Sequence, residues 1–536
     1  MKLRSLLPMA AFAALVLTGC SKDDVVAPNL EPTVTEGYAT FKINLPSTPG
    51  SRAATDDPGV TAEYKVNDIT LLLFNVATDG SEDDATFVKT VDLNSNAAEW
   101  KTTSENGITT EATVTAQIGT IVSGNDYYAV ALVNAGTASN FAPATEGTKY
   151  SDWAKTLPAS ATYNIDPTNG FYMSSAVLSN GEKLTKMAKI DTNKMGKTAA
   201  EAQANGSAAT IYVERIAAKV TVSNPTDSKA NVGSNKDNVD LKGWVLDNTI
   251  KKGYPVKNVD GLAVADLFAT GKKFFGNAVS TSYFRTEWCK GAYYSTLDKA
   301  TTDDFNFIDV NSATFGTTAA QYCIENTLVE NNMKKDRATR VVFKAEYKLN
   351  GNAGAAVTLV KLLNNVTIRT EADFITFVTT RAKEALSSDN VTVESKTPNG
   401  GYLALSEVVT IKKDGTVVTD DTELNKVAVA LGLKNASTDK GIAYYKDGVT
   451  YYAAYIRHLN DTEIGADKVG KYGVVRNNWY DLTVNSISSI GEPARPGTGT
   501  DPTDPDTPGD IDVEKSYIDV SINILKWAKR TQNVDL

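Results

Sequence analysis

The sequence predicts a mostly β protein: two antiparallel β-sandwich domains with few helices, then a last strand held on a flexible linker. Three observations carry this. Short runs rich in β-branched and aromatic residues recur, among them ITLLLFNV (69–76), YYAVALV (127–133), TIYVERIAAKVTV (210–222), RVVFKAEY (340–347) and WYDLTV (479–484), with Gly, Asn, Asp and Ser between them. Only one stretch has a convincing helical stripe. Finally, Ile518, Val520, Ile522 and Ile524 alternate with Asp519, Ser521 and Asn523, the period of a strand that buries one face.

Bulk composition narrows the function. A chain of 536 residues has room for two or three domains with substantial cores. A net charge of −10, with no Lys/Arg cluster or basic helix, argues against nucleic acid as a partner. The single histidine, His458, argues against His-based acid–base chemistry and His-rich metal sites, and it reads as structural. No nucleophile–base arrangement and no phosphate loop is recognisable, so no enzyme, cofactor or metal site is expected. Carboxylate pairs stay open, because spacing along a β-sandwich sequence says little about them.

The elements follow in order. Lys2 and Arg4 precede an apolar stretch from Leu6 to Leu17 that is too short for an ordinary membrane span, so residues 1–19 read as a secretory signal. Leu17-Thr18-Gly19-Cys20 resembles a bacterial lipoprotein cleavage site, which makes Cys20 the lipidated first residue and its lipid a transient membrane anchor. Ser21-Lys22-Asp23-Asp24 resembles the acidic signal that sends Bacteroidota lipoproteins to the outer face of the outer membrane; the alternative is an ordinary periplasmic lipoprotein. Residues 38–45 (YATFKINL) form a strand with Ala39, Phe41, Ile43 and Leu45 on one face. The loop that follows, STPGSRAATDDPG (47–59), holds one basic residue, Arg52, among small and turn-forming residues, a favourable protease site.

An N-terminal sandwich is expected over residues 53–223 and a second over 241–491, divided by the polar stretch NPTDSKANVGSNKDNVD (224–240). Residues 258–315, rich in Tyr, Phe and Trp, read as loop excursions on the second domain. In the helix, Thr370 and Asp373 form a capping pair, and Phe374, Phe377, Val378, Ala382, Ala385 and Leu386 form the stripe that covers a sheet face. Cys289 and Cys323 lack CxxC spacing; a disulfide and buried free thiols are both open.

The linker, GEPARPGTGTDPTDPDTPGD (491–510) within 492–515, is too rich in Pro, Gly and Asp to pack. Arg495 in it reads as exposed but shielded from Arg-directed proteolysis by Pro496. The tail strand in 516–536 matches the alternation of residues 38–45 almost position for position. Burial of its four aliphatic side chains is worth roughly 1.5–3 kcal/mol each. A cut after Arg52 would free the first strand and leave a groove with unpaired backbone, a template for the tail of another copy. Fully extended at about 3.1 Å per residue, such a linker reaches on the order of 60 Å.

The chain resembles the major subunits of the minor, short fimbriae of Bacteroidales, the fimbrillin family of type V pilins. The matching residues are the lipobox at Cys20, the Arg52–Ala53 junction, FYMS (171–174), VERIAAKVTV (213–222), WVLDNTIKKGY (244–254) and YCIENTL (322–328). The most specific are YIRHL (455–459), YGVVRNNWYDL (472–482) and ISSIGEP (487–493), with Trp527 and the terminal Val534-Asp535-Leu536. The resemblance implies transthyretin-like sandwiches and a lipidated outer-membrane precursor, cut between Arg52 and Ala53 by an Arg-specific surface protease. It makes residues 20–52 a propeptide, residues 38–45 the leaving strand, and Ile518, Val520, Ile522, Ile524 and Trp527 the donor for the next copy in an extracellular polymer. Fimbrial tip and anchor subunits are the implied further partners, and a host or bacterial adhesion target goes unnamed. Arg476 and Trp479 read as packing residues. Two alternatives stand beside the stalk subunit: a fimbrial anchor, accessory or tip subunit, and a glycan-binding surface lipoprotein using aromatics such as Trp153, Trp288, Tyr293 and Tyr294.

Overall fold

A computed structural model describes residues 34–45, 61–94, 99–103, 108–136, 140–143, 145–158, 163–262, 275–278, 283–286, 288–295, 300–350, 356–458, 470–496, 511 and 518–526. The strands that carry the argument are β1 (Val34–Asn44), β2 (Asp68–Ala77), β3 (Thr86–Asn94), β4 (Glu99–Thr103), β5 (Ile108–Val122), β6 (Asn125–Val133), β7 (Met173–Ser175) and β8 (Ala209–Arg215) in the N-terminal half. The C-terminal half has β9 (Ala217–Val222), β10 (Ser228–Val232), β11 (Asp237–Asp247), β12 (Gln321–Ile324), β13 (Arg340–Lys348), β14 (Val449–Tyr455), β15 (Asn478–Ile487) and β16 (Ile518–Lys526). Among the described residues the α-helices are α1 (Tyr150–Ala154), α2 (Ala199–Ala204), α3 (Glu371–Leu386), α4 (Leu405–Val408) and α5 (Asp421–Ala430).

The first sandwich follows the order β3-β2-β6-β7-β8-β1-β5-β4. Period-2 alternation puts one row of each strand inward: Ile69, Leu71 and Leu73 from β2 and Ala129, Ala131 and Val133 from β6 meet Ala39, Phe41 and Ile43 from β1 and Ala112, Val114 and Ala116 from β5 in one core. The second sandwich has β12-β9-β15-β16 facing β10-β11-β13-β14. Its core joins Val220, Leu241, Trp244, Val341, Phe343, Tyr452, Tyr480 and Leu482. The mostly β architecture agrees with the expectation, with one difference in kind. Among the described residues two pairs, β1 with β8 and β9 with β15, run parallel in otherwise antiparallel surroundings.

The run 210–222 that reads as one strand serves both sandwiches. It breaks at Ile216, whose amide donates to Tyr172 O at 3.0 Å and whose side chain is buried in a third cluster with Tyr163, Tyr172 and Ile324. The changeover thus lies N-terminal to the polar stretch 224–240. Residues 284–286, from the segment read as excursions on the second domain, pair with Leu178–Ser179 of the first half. Between β13 and β14 the chain builds an α/β lobe with its own core, in which Phe374, Val378, Ala382 and Leu386 of α3 pack with Val427 and Ala428 of α5 and with Val360, Val393 and Ile411 from its two small sheets. Thr370 caps α3 by accepting from Asp373 N at 3.2 Å, and Asp420 caps α5 by accepting from Glu423 N at 3.0 Å.

Candidate functional site

The site is the place that β1 fills. This strand lies inside the sheet, antiparallel to β5 along its whole length (Val34↔Val122 to Asn44↔Glu111) and parallel to β8 from Phe41↔Ala209 to Asn44↔Tyr212. Ala39, Phe41 and Ile43 are 0% exposed and Leu45 is 2% exposed, so the inward row is core on the same terms as the permanent strands. Burial of the three larger side chains is worth roughly 1.5–3 kcal/mol each. Backbone groups add to this: Tyr38 and Gly196 exchange hydrogen bonds at 2.8 and 3.0 Å, and Ala208 N donates to Thr40 O at 2.7 Å. On the outer face Thr40 Oγ1 meets Thr115 Oγ1 at 3.0 Å, and Lys42 Nζ lies 2.6 Å from Glu111 Oε2. Removal of β1 would therefore divide the sheet in its middle, uncover the core and unpair two neighbouring strands. Cys20, Arg52 and Ala53 lie outside the described residues.

The tail strand β16 is held quite differently. It lies at an edge, antiparallel to β15, from Ile487↔Ile518 to Asn478↔Lys526, and a bulge falls between Val484 and Ser486 of β15. Ile518 is buried at 6% exposure, while Val520 and Ile522 are only half-buried against the second core. Outside, Asn485 bonds Asp519 and Ser521, both at 3.1 Å. Ile524 stands opposite Tyr480, and Trp527 lies outside the described residues. A strand paired on one side with a half-exposed apolar row is retained less firmly than one paired on both sides. In the isolated chain the tail rests on its own second domain.

Arg495 departs from expectation. Its side chain is 15% exposed: Nε and Nη2 donate to Asp247 at 2.9 and 2.7 Å, Nη2 donates to Asn248 Oδ1 at 2.7 Å, and the guanidinium lies 4.7 Å above the Phe307 ring. Asp247 is fully buried and also receives Arg340 at 2.8 and 3.0 Å. Burial raises the Asp247 carboxyl, yet the two guanidiniums outweigh it and hold it below the usual carboxylate range. Arg340 also donates to Pro496 O, so the linker is fastened through its first residues.

Arg476 and Trp479 are structural, as expected, and they join the two sandwiches. Arg476 pairs with Glu325 (Nε to Oε2 2.7 Å) and reaches Ser174 Oγ of β7 at 3.4 Å; Trp479 donates to Thr221 Oγ1 at 2.7 Å and packs in the first core. Burial raises the Glu325 carboxyl, but Arg476 brings it below its ordinary value. Beside it Lys257 pairs with Glu214 at 3.0 Å. Cys289 and Cys323 are buried free thiols; Cys289 donates to Glu325 Oε2 at 3.0 Å, and burial pushes Cys323 up to about 12. His458 is buried, with Nδ1 2.8 Å from Tyr480 Oη. Trp153 and Trp288 are buried, and Tyr293 and Tyr294 half-buried, so the four form no exposed platform. Among the described residues no group of three or more His, Cys, Asp or Glu is placed to hold a metal ion.

Residues 443–533 match the family described as major fimbrial subunit protein type IV, Fimbrillin, C-terminal. No curated protein sequence matches the chain. Among solved structures, a candidate cell-adhesion protein from Parabacteroides distasonis ATCC 8503 is 13% identical, over 93% of this chain and 99% of its own, with a TM-score of 0.40. A fimbrilin from Porphyromonas gingivalis W83 is 14% identical over 92% and 99%, with a TM-score of 0.35. The tip fimbrial protein Mfa3 from Porphyromonas gingivalis is 10% identical over 91% and 100%, with a TM-score of 0.30. At these scores the structural likenesses carry no argument about mechanism. The match over 443–533 takes in β14, β15 and β16, so the C-terminal part of the chain is similar to the C-terminal region of fimbrillins.

Proposed function

We propose that the chain is the repeating stalk subunit of an adhesive type V fimbria, the major subunit of a minor fimbria. It is exported as a precursor lipidated at Cys20 and held on the outer membrane. An Arg-specific surface protease cuts between Arg52 and Ala53, β1 leaves with the propeptide, and the C-terminal strand of another copy fills the vacated place. Tip and anchor subunits complete the extracellular fibre. The observation that carries the reading is the position of β1: a strand with a fully buried inward row in mid-sheet, joined to the remainder of its domain through the segment that contains Arg52. Apolar burial and backbone pairing supply the driving force, so the polymerisation needs no nucleotide and no catalytic group. Once seated, a donor with such burial leaves very slowly.

The test compares wild type with Arg52→Ala and with a deletion of residues 517–536. Wild type is expected to give heat-sensitive high-mass ladders on gels, and both variants to stay monomeric. Ladders that persist in both variants would remove strand exchange from consideration.

A further inference from the structure

We propose that the incoming tail of a second copy adopts one direction and one register: it runs as β1 runs, with Ile518 in the place of Ala39, Val520 in that of Phe41, Ile522 in that of Ile43 and Ile524 in that of Leu45. This rests on the strand-exchange reading above and specifies the pairing within it.

Volume is the first argument. Aligned in this way, YATFKINL and YIDVSINI share Tyr at their first position, Ile at the sixth and Asn at the seventh. Ile522 repeats Ile43 and Ile524 has the same number of side-chain carbons as Leu45, and the larger Ile518 for Ala39 nearly offsets the smaller Val520 for Phe41. The new row falls one non-hydrogen atom short of the old one, within what a core accommodates by small shifts.

Charge on the outer face is the second. Along β5, Thr40 stands opposite Thr115, Lys42 opposite Thr113 and Asn44 opposite Glu111. The proposed pairing sets Asp519 in the Thr40 place, itself only 3% exposed, where the Thr115 hydroxyl can donate to its carboxylate, and Asn523 against Glu111, to which its amide can donate. The other pairings fail on one of two residues. A two-residue slip that moves Ile518 to the Phe41 place puts Asp519 where Lys42 stood, beside Glu111, whose cationic partner at 2.6 Å has just left. The opposite slip drives Lys526 into the Leu45 place, 2% exposed. Reversal of the strand sets Asp519 directly opposite Glu111, and the reversed slips bring Asp519 beside it or Lys526 into the row. Like charges directly opposite destabilise a strand pair, and a buried unpaired ammonium is worse.

The test uses disulfide trapping in the otherwise complete chain, with wild type as the assembly control. Directly opposite residues stand about 4.5–5.5 Å apart at Cα, within disulfide reach, whereas residues two places off do not. The pair Thr113→Cys with Ser521→Cys is expected to give ladders that survive boiling without reductant and collapse to monomer with it. Thr115→Cys with Ser521→Cys, and Thr115→Cys with Asn523→Cys, are expected to form ladders that boiling disperses. Trapping by the second pair, or failure of the first to trap within ladders that form, would overturn the register. Trapping by the third would overturn the direction. Ladders in which none of the three pairs traps would overturn the register alone, whereas the absence of ladders from the wild-type control would sink the strand-exchange reading itself.

Discussion

At the scale of single residues, His458 shows how burial turns a lone histidine into a structural and pH-sensitive one. Burial, with Lys257 adding to it, pushes its pKa from 6.5 down to about 3, while Nδ1 stays 2.8 Å from the Tyr480 hydroxyl. The unfolded chain takes up a proton near pH 6.5 and the folded chain does not. Stability from this site is therefore complete above 6.5 and is lost as the pH falls towards 3, by about 1.4 kcal/mol per pH unit. Denaturant unfolding of the precursor checks this: the stability gap between wild type and His458→Gln should narrow at that rate below pH 6.5. A gap independent of pH would contradict it. Asp247 and Glu325 shift in the same direction for a different reason, since their guanidinium partners, against the effect of burial, hold the carboxyls below their ordinary values. Their contribution is complete above those values and fades only under stronger acid. Arg495 belongs at this scale too. Composition placed it in an exposed linker, but its partner Asp247 lies 248 residues earlier, and no local pattern announces such a pairing.

At the scale of elements, β1 and β16 are both alternating strands, yet they are held by different means. Phe41 is 0% exposed in a strand paired on both sides, and Phe41→Ala is expected to weaken the uncut precursor by about 3–5 kcal/mol. In mature fibres the same substitution should change nothing, because the strand that carries it is gone. Chemical denaturation of the precursor, set against the heat stability of assembled ladders, reads both effects; fibres weakened by Phe41→Ala would show that β1 stays. Alternation made both strands legible in the sequence, and the capped stripe of α3 was legible for the same reason. Strand neighbours were not. The parallel pairing of β1 with β8 and the seating of β16 on β15 depend on long-range register that alternation leaves open. The α/β lobe escaped because several of its strands, such as Gly401–Leu403 and Thr416–Val417, are too short to show a period. The switch of sheets at Ile216 was hidden inside one unbroken apolar run, 210–222.

At the scale of the whole molecule, the two sandwiches are joined through charges taken out of water. Arg476, from the loop before β15, pairs with Glu325 of the second half and reaches Ser174 in the first, and Glu214 of β8 binds Lys257 beside them. Buried ion pairs add little net stability but lose heavily if one partner shifts, so they favour a single relative placement of the sandwiches. In a polymer, such a joint would pass the orientation of each acceptor to its own donor end. The central claim is that the place of β1 and the C-terminal strand are made for each other. It is tested most directly by assembly of the Arg52-cut full chain with a synthetic peptide of residues 517–527 in excess. The account predicts that the ladders shorten as peptide rises, with one peptide retained per capped chain, and that a peptide with scrambled alternation has no effect. Ladders of unchanged length at saturating peptide would contradict it.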